Sequence, residues 1–180
     1  CSPSYYHDSQ ALGVWGLPDN SAAALPFEHL ADSLLQFYKD EIERRSWYGY
    51  WNYGDVMHSY DEVRHTWRYD FGGCAWQNTE FAPNLWLWTH FLRSADPVAF
   101  RLARSMTRHT SEVDCYHSGP YTGMGSRHNV VHWGCSCKEA RIMMAFLHRI
   151  FYYLTADERI GEIMEMTVDV DYRVLEKDPM

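Results

Sequence analysis

Residues 83–112, "PNLWLWTHFLRSADPVAFRLARSMTRHTSE", decide the fold. Leu85, Trp86, Leu87, Trp88, Phe91 and Leu92 make the first half apolar nearly all round, which predicts a helix from Pro83 to about Arg93 that is covered on most of its sides. A further helix is expected from Asp96 to about Asp114, with Asp96 as its N-cap. Only "RSAD" joins the two, so they should fold back on each other as a helical hairpin.

The same connection recurs downstream. "LTAD", residues 154–157, follows the stretch "SCKEARIMMAFLHRIFYYLT", residues 136–155. That stretch repeats apolar side chains at Ala140, Met143, Met144, Leu147, Phe151 and Leu154 and reads as one helix. Asp157 then starts the next helix. Asp96 and Asp157 are 61 residues apart, which suggests a hairpin repeat of that length. Upstream, "PFEHLADSLLQFYKDEIERR" from Pro26 to Arg45 sets Phe27, Leu30, Leu34 and Tyr38 on one stripe, with Pro26 in the first turn. Strand signals are sparse, and the expected class is all-α. Residues 1–25 are expected to be an extended lead-in, and 26–180 a partial helical domain.

The connections alternate in length. The short turns "RSAD" and "LTAD" contrast with residues 46–78 and 114–135, which are long and rich in Gly, Tyr, Trp and His. In an up-and-down array successive connections fall at opposite ends, so both long loops should share one end. Long aromatic and ionisable loops are where function is usually built. An (α/α) toroid, made of helical hairpins in a ring with its cleft at the loop end, has this layout. At roughly 60 residues per hairpin the chain would supply about half of a six-hairpin ring. A plain helical bundle or solenoid is the alternative.

Composition narrows the partners. The net charge of −8 argues against nucleic acid and acidic membranes. Yet residues 101–149 hold seven Lys or Arg against three Asp or Glu, a local +4 that leaves −12 for the remainder. A basic island in an acidic chain fits an anionic small ligand or polymer. No apolar run approaches the roughly 20 residues of a membrane span. The opening residues "CSPSYYHD" show neither an initiator Met nor a signal-peptide core, so the chain is expected to be a piece of a larger multidomain protein. Five cysteines, with Cys135 and Cys137 as an isolated C-x-C, form neither a disulfide framework nor a zinc pattern, and no metal or cofactor is expected.

The first long loop carries "WYGYWNYGD", residues 47–55. Its rings are the kind on which apolar sugar faces stack, while flanking amides and carboxylates satisfy sugar hydroxyls. Trp51, Tyr53, Asp55 and Asn78 are therefore candidate substrate contacts, with ordinary core filling as the bland alternative. The second loop region, "RHTSEVDCYHSGPYTGMGSRHNVVHWG" (108–134), holds four histidines, two arginines and two tyrosines. Its glycines lack the spacing of a phosphate-binding loop. His128 and His132 are four apart, but Asn129 stands where a zinc protease needs Glu, which rejects that chemistry.

An Arg, His and Tyr mixture fits β-elimination of a uronic acid. A guanidinium pairs the carboxylate and stabilises the enolate-like transition state, a base removes the C5 proton, and an acid protonates the leaving oxygen. Arg127 or Arg108 suits the first role. His109, His117, His128 and Tyr121 are candidates for acid and base, with Tyr116 and His132 as further substrate contacts. Each histidine taken singly reads better as a structural residue, and only the cluster favours function.

These same residues carry a resemblance. "TRHTSEVDCYHSGPYTGMGSRHNVVHWG", "YGYWNYGDVMHSYDEVRHTWRYDFGGCAWQNTE" and "YYLTADER" resemble the α/α-toroid domain of the rhamnogalacturonan exolyases of polysaccharide lyase family 26 and their uncharacterised bacterial relatives. The resemblance covers most of the chain from about Trp47. It implies a secreted or cell-envelope parent protein with β-sandwich domains upstream of the toroid. That parent would act on the acidic pectic polysaccharide, or its oligosaccharides, by β-elimination at galacturonate. Two rivals remain: a toroid glycoside hydrolase using paired carboxylates such as Asp55, Glu80 and Asp114, and a non-catalytic carbohydrate-binding domain using Trp51 and Tyr53.

Overall fold

The structure, a computed structural model, describes residues 1–47, 57, 60–67, 82–126 and 137–176. Among them the chain forms α1 (Pro3–Ser9), α2 (Leu25–Arg45), a two-stranded antiparallel ribbon of β1 (Tyr60–Asp61) and β2 (Thr66–Trp67), α3 (Pro83–Ser94), α4 (Pro97–Glu112), α5 (Ala145–Thr155), α6 (Glu158–Met166) and α7 (Val170–Leu175). The class is all-α, as expected.

The two short turns are built from the same positions. Ala95 and Ala156 both take left-handed backbone, with φ of 57° and 52°, and their N–H groups donate to Phe91 O and Tyr152 O. Asp96 and Asp157 then cap α4 and α6, accepting from Val98 N at 2.6 Å and Ile160 N at 3.1 Å. The hydroxyls of Ser94 and Thr155 donate back to His90 O and Phe151 O and accept from the N–H of the capping aspartates. Each device satisfies backbone groups that a helix end leaves open.

Trp88 is the centre of the core. Fully buried, it stacks on Phe151 of α5 with centroids 5.6 Å apart and donates through Nε1 to Thr107 Oγ1 of α4 at 2.9 Å. Four residues earlier, Asn84 Nδ2 donates to Leu147 O at 3.2 Å. Pairing 84 with 147 and 88 with 151 means that α3 and α5 run parallel in register. Since α4 returns antiparallel to α3, the start of α3, the end of α4 and the start of α5 lie at one end. Both long loops therefore open from the same end.

Three expectations need correction. Residues 1–25 are not simply extended: Ser2 and Pro3 start α1, whose Tyr6 meets Phe91 at 6.2 Å, and Arg93 Nε donates to Gly16 O at 2.6 Å. The stripe on α2 is covered only at its Tyr38 end, where that ring meets Trp67 and Trp86. Phe27 and Leu30 are 73% and 64% exposed, whereas Leu35, Glu41 and Ile42 are buried. The periodicity showed that the helix has an apolar stripe, but the covered side is set by what packs there. Trp67 donates through Nε1 to Glu41 Oε2 at 2.7 Å, and Arg44 and Arg45 complete the charge pairing of that carboxylate.

The third correction concerns the stretch 136–155. The helix begins only at Ala145; Ala140–Ile142 is a 3₁₀ turn, and Met144 is an extended, exposed N-cap. Glu139 is held in extended pairing with Gly125, and that pairing forbids helix there. Ile142 and Met143 instead join Cys115 and Ile163 in a second, smaller core.

Candidate active site

The described part of the second loop region, residues 113–126, is a tightly tied hairpin. Tyr116 N donates to Met124 O, Gly123 N to Tyr116 O and Ser126 N to Asp114 O at 2.7 Å. At its base Gly125 exchanges backbone hydrogen bonds with Glu139. Two of its glycines serve packing. Gly123, at φ +83°, lies so close to the end of α6 that a Cβ there would stand 2.1 Å from Met166 O, and one on Gly125 would stand 2.3 Å from the Ile142 Cβ. Arg173 of α7 also donates to Thr122 O.

Three groups meet on the surface of this hairpin. The Tyr116 and Tyr121 rings are 6.0 Å apart, and Lys138 places its ammonium 5.1 Å from the Tyr121 centroid and 6.0 Å from that of Tyr116. Such cation–ring contacts favour the charged amine near the ring face. The Tyr116 hydroxyl donates to Cys137 O at 3.2 Å, whereas Tyr121 is exposed.

The other described candidates are engaged in different ways. His117 is exposed, but both of its ring nitrogens are engaged. Arg159 Nη2 donates to Nδ1 at 2.9 Å, which leaves the proton on Nε2 to donate to Glu112 O at 3.1 Å. Arg108 is exposed and paired with Glu112, Nε to Oε1 at 2.7 Å. His109 is sealed beneath the hairpin: neither its side chain nor that of Asp114 has exposed surface, and Nε2 stands 3.4 Å from Asp114 Oδ2. Asp114, weighed above as a hydrolase carboxylate, is thus inaccessible to a substrate in this structure. The Cys115 thiol next to it is pushed up to about 11, chiefly by burial, and is no nucleophile at neutral pH.

Residues 1–180 match the family model described as the PcRGLX-like protein C-terminal alpha/alpha toroid domain. The chain belongs to this family. It is also 56% identical over 181 residues to the uncharacterized protein YetA of Bacillus subtilis (strain 168), an alignment that takes in 100% of this chain and 21% of that relative. The chain therefore spans about a fifth of the length of the curated relative it matches.

Within this toroid domain, the structure brings Tyr116 and Tyr121 together with Lys138, whereas His117 and Arg108 are engaged at Glu112 and His109 is buried with Asp114. Arg127, His128, His132, Trp51, Tyr53, Asp55 and Asn78 lie outside the described residues. Sequence reasoning missed Lys138 and Arg159. Lys138 had a usable signal in its place within the basic island, but Arg159 had none, since only the fold brings position 159 against position 117.

Proposed function

We propose that this toroid domain forms part of a polysaccharide lyase that cleaves pectic rhamnogalacturonan by β-elimination at galacturonate. The observation that supports the reading is the Tyr116, Tyr121 and Lys138 surface at the loop end, on the hairpin that Arg127 and His128 follow in sequence. A uronate needs a cation at its carboxylate and a proton-transfer group at C5, and this surface offers both kinds of group. Kinship to the PcRGLX-like toroid family supports the same chemistry.

The roles divide as follows. Arg127 pairs the substrate carboxylate bidentately, with Lys138 as a second cation for the developing enolate charge. His128 and the exposed Tyr121 exchange the protons, one taking the C5 proton and the other protonating the leaving oxygen. His117, with both nitrogens engaged, positions the hairpin against α6. His109 leaves the acid–base set in this scheme, because a group sealed with Asp114 supports the loop base rather than meeting substrate. Tyr116, His132, Trp51, Tyr53, Asp55 and Asn78 contact sugar in this scheme.

The test uses the full-length protein and a rhamnogalacturonan oligosaccharide, with ultraviolet absorbance reporting the unsaturated uronate. Arg127→Ala and His128→Ala should each lower turnover by at least about a hundredfold, and Tyr121→Phe by a comparable factor, with unfolding midpoints unchanged. Near-normal turnover in both Arg127→Ala and His128→Ala would sink the assignment. Product without an unsaturated sugar would indicate hydrolysis instead.

A further inference from the structure

Arg149 lies on α5, half-buried, with its Nε shielded from solvent and without an acceptor. Among the described residues no hydrogen bond or ion pair joins this guanidinium to the protein. Crossing it is the segment that leads from α1 towards α2. A Cβ built on Gly13, whose φ is +105°, would stand 3.4 Å from Arg149 Nη2, so the backbone passes close over the charge. Two residues further on, Trp15 Nε1 is also shielded and without an acceptor, and its ring meets His7 edge-on at 5.6 Å.

Leaving a buried donor unsatisfied costs about 1–3 kcal/mol, and more when the donor is charged. The shielded Arg149 Nε and, two residues past the Gly13 backbone that crosses it, the shielded Trp15 indole mark a place that fits an anion. The carboxylates before, in and after the crossing segment are engaged elsewhere: Asp8 with His7 at 2.9 Å, Asp19 with Ser21, and Glu28 with Arg93. We propose that Arg149 and Trp15 form a carboxylate-binding subsite apart from the loop hairpin, the guanidinium fork pairing the carboxylate oxygens and the indole N–H adding a third donor. The planar fork suits a carboxylate bidentately, which a lysine ammonium does not. The carboxylate is either that of a sugar acid in solution or an acidic side chain from elsewhere in a longer parent protein.

The test follows the Trp15 indole N–H and the Arg149 Nε–H by NMR in ¹⁵N-labelled protein, during titration with acetate, galacturonate and neutral galactose. Both signals should move along one saturating curve with acetate and with galacturonate, and stay still with galactose. Arg149→Gln should abolish the indole response, and Arg149→Lys should weaken it at least about tenfold. Trp15→Phe, which keeps a ring in place, should weaken the acetate response of the Arg149 signal. If the response persists in the longer parent protein, the carboxylate comes from solution. If it vanishes there, and Arg149→Gln lowers the unfolding temperature of the parent more than that of this chain, the carboxylate is the protein's own. No response to either acid in this chain, or an indole shift that survives Arg149→Gln, overturns the proposal. None of these outcomes depends on lyase turnover, so the subsite and the proposed activity stand or fall separately.

Discussion

At the turn end of the hairpins, Ala95, Asp96 and Ser94 have counterparts in Ala156, Asp157 and Thr155, 61 positions later. The Ala and Ser/Thr bonds are equivalent, and both aspartates cap, Asp96 at the amide two residues on and Asp157 at the amide three residues on. At the loop end nothing in the described residues repeats in this way. The hairpin 113–126 is held by contacts with α6, α7 and Glu139, up to 51 residues away in sequence. The turn end is specified by local chemistry that any two hairpins can reuse. The loop end is specified by where the rest of the chain has gone, and that leaves it free to carry different side chains in each repeat.

The largest effect should come from the loop end. Gly123→Ala adds a carbon 2.1 Å from the Met166 carbonyl oxygen at a backbone angle that side chains rarely adopt. Strain and overpacking together should cost about 3 kcal/mol, read from urea unfolding. Because the hairpin carries Tyr116 and Tyr121, turnover of the full-length protein should fall as well. Gly125→Ala, with Ile142 Cβ at 2.3 Å, should behave alike. If either variant unfolds at the wild-type midpoint, the loop end is not tied by these approaches and the contrast with the turn end fails.

A smaller effect should come from α5, which joins the two ends. Burial pushes His148 down to about 4, against a weak opposing hydrogen bond to Met144 O at 3.4 Å. The unfolded chain, with an ordinary histidine near 6.5, binds the proton first, so stability falls as pH drops from 6.5 towards 4. Between pH 7 and pH 5 this group alone should remove about 2 kcal/mol. His148→Gln should flatten that part of the urea-midpoint profile. An unchanged slope in the variant would show that the acid sensitivity comes from elsewhere.

How much was legible follows the same division. The turn end could be read because Asp caps and apolar runs act within a few residues, and the 61-residue spacing showed itself in sequence. The α2 stripe told only part of its packing: Phe27, Leu30, Leu34 and Tyr38 satisfy the helical period, but only Tyr38 packs on the core, because Trp67 and Glu41, far apart in the chain, decide which side is covered. The stretch before Ala145 was misread for a related reason: Glu139 pairs with Gly125, and pairing across a loop leaves no periodic mark. At the site, Tyr116, Tyr121 and His117 were legible as residue types that suit uronate chemistry. The engagement of His117 by Arg159 and the sealing of His109 with Asp114 were not, since both arise from packing.

The smallest effect tests the turn end directly. Asp96→Ala and Asp157→Ala each remove one side-chain cap while leaving Pro97, the left-handed alanine and the hydroxyl bond to the preceding turn in place. A lost N-cap costs about 1 kcal/mol, and the two variants should lose nearly equal amounts because the two turns are built alike. The Asp96 cap has the shorter bond, 2.6 Å against 3.1 Å, so any excess should fall on Asp96→Ala. Turnover of the full-length protein should be unchanged in both, since neither aspartate touches the loop hairpin. A turn variant that lowers turnover as far as a loop variant does would mean that the caps set the loop end as well, and that the two ends are one cooperative unit rather than a reusable scaffold carrying a separately specified site.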